Sequence, residues 1–269
     1  MDKVKENYYI QIFVLVTYLG MITVNALANI LPINGIDTGA ISDAYPNLFA
    51  PIGFTFSVWG VIYLLLALYT LYQLGFFKHD YSKEKWELID RIGIYFIISS
   101  IANAAWIFSW HYKLIPLSMI LMIVILGCLV QINRITRFQE FTIREKAFIR
   151  APFSVYFGWI SIASIANFVV LTVSLNWNWF NIEQAMYTSI LIGAGAIIGA
   201  IIIFINKDIL YALTLIWAFF GIYSKHTSAQ YFNGLYPMVV WTAIAAIILI
   251  FVEAVYLFLK NKNKAETRV

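Results

Sequence analysis

Residues 155–167 read VYFGWISIASIAN, an uncharged stretch inside an apolar run from 149 to 175. At about 100° per residue, Tyr156, Trp159, Ala163 and Asn167 fall at i, i+3, i+7 and i+11, so one helix face carries two large rings, a gap and a side-chain amide. Ser154, Gly158 and Ser161 lie on the opposite side, small residues that let a neighbouring helix backbone come close. An amide in line with two rings is an odd face to turn to lipid, so one side reads as packing and the other as lining. The run exceeds the roughly 20 residues that cross a bilayer, and reading it as a membrane helix decides the fold class.

Composition leads the same way. Of 269 residues 62% are hydrophobic and only 12% charged, which is outside the soluble globular range and makes the lipid bilayer the first partner. Aromatics reach 17%, with nine Trp, which suits interfacial belts or an aromatic-lined cavity. The net charge of +4 sits in loops and tail, with no basic, aromatic-interleaved groove, so nucleic acid is not a partner. Cys128 is the one cysteine, lies in an apolar run and has nothing to pair with inside the chain.

Spanning runs fall at about 9–31, 52–77, 92–110, 114–133, 149–175, 185–206, 209–225 and 234–259, which predicts an all-α polytopic helix bundle of eight spans. Lysine and arginine test the topology. With the start of the chain inside, 16 of the 18 basic residues fall on the inner side, and only Lys113 and Lys225 fall outside. Both termini are therefore expected to be cytoplasmic in a multi-pass protein of the plasma membrane. The basic segment from Arg134 to Arg150 reads as an anchor on anionic headgroups. The Asn176-Trp177-Asn178-Trp179-Phe180 segment reads as an aromatic belt.

The segment Pro32–Pro51 lacks Lys and Arg and is dense in turn-forming residues; ordered segments of that length are commonly lids or binding loops. Its Asp37 and Asp43 read as solvated carboxylates, since no His or third acid sits nearby to complete a metal site. In the first helix Tyr18, Asn25 and Asn29 share a face, where either interhelical hydrogen bonding or pocket lining is open. Phe56, Trp59 and Tyr63 share a face of the second helix, and Asn103, Trp106 and Trp110 share one of the third. Gly195-x-x-x-Gly199 marks a close-packing seam, either for a homodimer or for a neighbour in the same chain. Glu253 is the single carboxylate inside a predicted span. It is expected to pair with Lys260 or Lys207 or to snorkel, the alternative being a coupling site. His79, His111 and His226 are all expected in loops at helix ends, and no P-loop, dinucleotide fingerprint or Cys/His cluster is present, so no catalytic or metal residue is nominated.

Three of these groups carry a resemblance. Tyr156, Trp159, Ser161, Ala163 and Asn167 stand at the spacing of the TspO/MBR family, the tryptophan-rich sensory or translocator proteins, whose fifth helix reads Pro-Tyr-x-x-Trp-x-Ser-x-Ala-x-x-x-Asn. Val58-Trp59-x-x-x-Tyr63 is similar to the family's second helix, and Asn103-x-x-Trp106-x-x-x-Trp110 to its third, with an aromatic retained at the last place. Val155 stands where the family has proline, and Pro152 lies three residues earlier, so any kink is expected almost a turn upstream. The resemblance covers about 9–175, the five spans usual in the family. It divides the chain into a five-helix region, 1–175, and a three-helix region, 176–269, with a short basic tail.

What the resemblance implies is a pocket for a planar hydrophobic small molecule of the porphyrin or haem type, with no cofactor required and the long loop covering its mouth. Its lining would be Trp59, Tyr63, Asn103, Trp106, Trp110, Tyr156, Trp159, Ala163 and Asn167. The rings of Trp59, Trp106 and Trp159 would stack on the ligand, and Asn103 and Asn167 would bond its polar edge. Sensing or transport is the role implied, and porphyrin degradation, an enzymatic role, is left open. The alternative is a secondary transporter or permease subunit that uses all eight helices, with Glu253 as its coupling site.

Overall fold

The computed structural model describes residues 8–31, 33–36, 38–76, 82–177 and 182–266, without the side chains of Ala40 and of 261–266. Pro32, Asp37, His79, Asn178, Trp179 and Phe180, named above, lie outside the described residues, as do Lys3, Lys5, Lys78 and Arg268, four of the sixteen inner basic residues. The chain is 83% helical, with no strand among the described residues. Eight long helices account for this: α1 (Tyr8–Ile30), α2 (Val58–Gln73), α3 (Lys83–His111), α4 (Ile115–Thr136), α5 (Ala151–Ser174), α6 (Gln184–Asn206), α7 (Ile209–Thr227) and α8 (Pro237–Glu266). All eight are long and apolar enough to cross a membrane, α2 together with the 3₁₀ turn Gly53–Ser57 and α5 with its lead-in from Ile143. The all-α polytopic fold read from the sequence is the one found.

Boundaries differ where charge marked the edge of an apolar run. α3 begins at Lys83, before the expected 92, because Trp86, Leu88 and Ile89 are buried on one of its faces while Glu84 and Glu87 stay in the open. Phe56 is not on the helix of Trp59 at all. It belongs to the 3₁₀ turn Gly53–Ser57, where a tighter rotation per residue breaks the expected i, i+3, i+7 face.

The described chain forms two compact units, residues 1–41 with 59–157 and residues 42–58 with 158–269. In the first, α3 packs against both α1 and α4. α1 buries one narrow stripe, Gln11, Val14, Tyr18, Met21, Asn25 and Ala28, at alternating spacings of three and four. Its remaining faces are apolar and exposed, as Ile12, Phe13, Val16 and Leu19 show, which is what a lipid-facing helix requires. Gly93 of α3 lets α1 come close: a Cβ there would lie 2.8 Å from Ile10 Cγ2. Tyr69, Phe96 and Phe153 form an edge-to-face triad with centroids 4.8–5.6 Å apart.

The basic segment before α5 is ordered. Thr142 and Glu145 form a capping box. Lys85 of α3 reaches Glu145 at 2.7 Å and lies 4.6 Å from the Phe141 ring centroid. The expected irregularity upstream of Val155 takes the form of one π-helical turn, Lys146–Arg150, in which the N–H of Ala151 bonds to the carbonyl of Lys146. Pro152 has no N–H to offer the carbonyl four residues back, so the ladder widens just before it.

In the second unit α8 packs on α6 and α7. The Gly195/Gly199 seam is filled by this chain's own side chains: added Cβ atoms would lie 3.0 Å from Ile165 Cδ1 and 2.4 Å from Leu215 Cδ1. A left-handed Lys207 and the N-cap of Asp208, which accepts from the Tyr211 N–H at 3.1 Å, make the tight turn into α7. The stretch 42–58 lies against α7. Ile52 N–H bonds to Gly221 O at 3.1 Å, and Trp217 Nε1 donates to Thr55 O at 2.9 Å.

Candidate functional site

Six of the nine residues nominated from the sequence lie in the first unit. Asn103, fully buried on α3, accepts from Asn25 Nδ2 at 2.8 Å and donates to Tyr156 Oη at 3.1 Å. This chain of hydrogen bonds ties α1 and α3 to the start of α5. Asn25 therefore takes the interhelical reading rather than the lining one. Each member is buried, so each needs its partner, and the chain fixes the rotation of three helices at once. The Trp59 ring stands edge-on to Tyr156, 6.0 Å away at 62°, and stacks on Tyr63 at 5.4 Å and 19°. The Tyr63 carbonyl accepts from Tyr18 Oη at 3.0 Å. Trp59 and Tyr63 are only half-buried, although the Tyr63 hydroxyl is enclosed, and the geometry of the pair is set from behind. Trp106 and Trp110 form a second stack at 5.4 Å and 22°, and Trp110 Nε1 donates to Thr38 O at 3.1 Å.

Trp159, Ala163 and Asn167 belong to the second unit. Trp159 and Asn167 are buried, and Ala163 is half-buried. The Trp159 ring meets Phe56 edge-on, 5.8 Å away at 83°. On the other side of α5 the small residues pack as their size predicts. A Cβ at Gly158 would lie 2.8 Å from Thr214 Cβ, and Ser161 Oγ accepts from Tyr211 Oη at 3.1 Å. Ser161 is thus bonded to α7.

A family model described as TSPO-like protein matches residues 11–256. The chain belongs to the TSPO-like family. No curated protein and no solved structure gives a significant match. The matched region of this TSPO-like chain runs through α6 and α7 and into α8, beyond the residues 9–175 that carry the sequence resemblance. The compact units likewise divide the chain at 41/42, 58/59 and 157/158, not at 175.

The structure adds residues that the sequence did not single out. His111 and His226 are not in loops. They close the last turns of α3 and α7, and both are fully buried. His111 Nδ1 is 2.9 Å from Ile33 O and so carries the proton, leaving Nε2 to accept from Thr38 Oγ1 at 3.0 Å. His226 Nε2 donates to Leu48 O at 2.8 Å, while its ring stacks on Phe232 at 4.6 Å. The stretch between α1 and α2 is thus held by one buried histidine in each unit.

Around His226, in the second unit, lie two cavities of about 300 and 340 Å³ that share Asn47, Leu48 and Gln184 as a partition. Asp43, expected to be simply solvated, is exposed but lies 3.8 Å from the buried Lys225 ammonium. The only sequence signal for this region was a lysine on the side otherwise poor in basic residues. Among the described residues no group of His, Cys, Asp and Glu is placed to hold a metal.

The ion pair offered for Glu253 is not formed among the described residues. Glu253 is half-buried on α8 with no ion pair or hydrogen bond among them, and Lys260 turns to Tyr256, Nζ to Oη 3.3 Å. Seven residues put Glu253 and Lys260 on one face of the helix but two turns apart, and the nearer tyrosine at i−4 takes the ammonium.

Proposed function

We propose that this TSPO-like membrane protein binds a planar hydrophobic ligand of the tetrapyrrole class, porphyrin or haem, for sensing or transport. The observation that carries the reading is the half-open stack of Trp59 and Tyr63, with Tyr156 edge-on to it and held through Asn103 and Asn25. A flat aromatic ligand gains most from rigid rings presented at low conformational cost, and a satisfied amide chain behind them keeps the rings in place. Trp106, Trp110, Trp159, Ala163 and Asn167 enter the proposal as family-spaced candidates.

The test is a porphyrin titration of the detergent-purified chain, read by tryptophan quenching and by the absorbance band of the bound ligand. Trp59→Ala, Trp159→Ala and Ala163→Phe are each expected to weaken binding at least about tenfold, ~1.4 kcal/mol. Asn167→Leu is expected to cost about one hydrogen bond, ~1 kcal/mol. Ser161→Ala, whose bond goes to Tyr211, is expected to leave affinity unchanged. Loss of binding in Ser161→Ala but not in Trp159→Ala overturns the assignment of α5.

A second reading is favoured by the absence of an ion pair or hydrogen bond at Glu253 among the described residues: a secondary transporter in which this carboxyl takes up the coupling proton or cation. It predicts proton-dependent flux in proteoliposomes that Glu253→Gln abolishes without loss of folded protein. Undiminished flux in that variant ends it.

A further inference from the structure

Among the described residues Lys225 is the one lysine or arginine that is buried, and its partners are weak. Only 8% of it is exposed, at the end of α7, where it lines the cavity of about 300 Å³ in the second unit. Among the described residues its partners are Asp43 Oδ1 at 3.8 Å, beyond hydrogen-bonding distance, and the Tyr231 ring centroid at 5.9 Å. The Asp43 side chain is 74% exposed, so water screens most of what it gives. An ammonium carries three donors, and holding it out of water without acceptors is unfavourable. The site is therefore short of one anionic acceptor, and a cavity adjoins the place where that acceptor belongs.

The cavity walls say what the anion is attached to. Phe232 and Tyr236 form one side and are rigid: Phe232 stacks on His226, and Tyr236 stands edge-on to both, 5.8 Å from His226 and 5.4 Å from Phe232. Tyr45 and Leu48 line the cavity from the 42–50 stretch. Asn47 also lines it, with its amide largely engaged by the backbone. Its oxygen accepts from Phe49 N–H and Ala50 N–H and one of its N–H groups donates to Tyr45 O, which leaves a single neutral donor and no second positive charge. One cation, a carboxylate beside it and aromatic walls select a monoanion over a dianion, and a ring over an extended polar body. The volume lies at the lower limit of ligand pockets, so it suits one or two fused rings and not a tetrapyrrole. The neighbouring cavity, lined by Val169, Thr172, Val173, Asn176, Tyr187 and Thr188 among others, has no charged residue in its lining and makes no such demand.

We propose that the Lys225 cavity is a binding site for an aromatic monocarboxylate, whose carboxylate displaces Asp43 as the partner of the ammonium and whose ring lies against Phe232 and Tyr236. The site is separate from the tetrapyrrole reading and stands or falls without it. Carboxylate and ammonium then meet beside the rings of Phe232 and Tyr236, and a direct charge-assisted hydrogen bond replaces the long, water-screened contact with Asp43.

The experiment uses the full chain in nanodiscs of phosphatidylcholine, titrated with 2-naphthoate and, in parallel, with the neutral 2-naphthalenemethanol. Naphthoate is expected to bind at least about tenfold more tightly than the alcohol. Lys225→Gln should abolish that preference and Lys225→Arg should keep it. Asp43→Asn should tighten naphthoate binding, because it removes the competing carboxylate; an ion pair that only staples the chain predicts no gain. Equal binding of acid and alcohol, or unchanged or weaker naphthoate binding in Asp43→Asn, overturns the proposal even if Lys225→Gln does not fold. Replacing a third of the lipid with phosphatidylglycerol separates the two sources of a monoanion. Naphthoate affinity should be unaffected, and competition by that lipid overturns the proposal in favour of a headgroup site.

Discussion

Asn103 is where sequence and structure meet most closely. Its spacing to Trp106 and Trp110 marked it as a lining residue, but both ends of its amide are taken by Asn25 and Tyr156. In the described state, then, Asn103 positions rings rather than reaching for a ligand. Asn103→Leu removes two buried hydrogen bonds and leaves the Tyr156 hydroxyl without its donor. The expected loss is about 1–3 kcal/mol of stability, since membrane interiors return less per bond than isolated estimates suggest. Thermal unfolding in detergent checks this, with Asn29→Leu as control; among the described residues Asn29 bonds only within its own helix, to Asn25 O. A shift in Asn103→Leu no larger than in the control counts against the amide chain as the organiser of this unit. Face and burial of such residues were legible from a 3.6-residue period. The partner was not, because periodicity gives an angle around one axis and says nothing about which helix lies opposite.

At the level of elements, a few glycines mark close approaches. A Cβ on Gly221 would fall 2.2 Å from Thr55 Oγ1 and 2.9 Å from Pro51 Cβ, because the 3₁₀ turn Gly53–Ser57 lies directly against α7. Gly221→Ala is expected to cost about 1–3 kcal/mol through overpacking. Gly20→Ala meets nothing within 4 Å on α1 and should be neutral or slightly stabilising. Melting curves of the two variants in one detergent compare them, and equal midpoints would contradict the described seat of the turn. The existence of α1 to α8 followed from apolar length alone, and the positions of their ends did not. Trp86, Leu88 and Ile89 extend α3 through a charged segment, and Phe56 falls out of the α2 register, because tertiary burial sets both.

For the whole molecule, the charge split of 16 to 2 predicts that Asp43 and Arg144 face opposite sides of the membrane. Single cysteines at these positions in a Cys128→Ser chain should react with an impermeant maleimide from opposite sides; reaction from the same side refutes the eight-span topology. A piece ending at residue 175 tests the division of the chain. It keeps the stretch 42–58 but removes α7, and with it Trp217, Gly221 and His226, which bond to Thr55, Ile52 and Leu48. Such a piece should be produced in lower amounts and melt earlier than the full chain, and a stable 1–175 fragment would support the five-plus-three division. That division looked natural in the sequence because the family spacings end at Asn167. The bonds between 42–58 and α7 carry no local signature, so nothing in the residues announced them.

Those bonds also set a timetable. Thr55 and Trp217 are 162 residues apart, so at ~5–20 residues added per second the ribosome needs roughly 8–30 s after making the first before it has made the second. Through that interval the segment ahead of α2 has emerged while its resting place has not yet been synthesised. A slowed ribosome therefore lengthens exposure of this one segment out of proportion to its size, and proteolytic nicking of nascent chains should concentrate between Ser42 and Ser57.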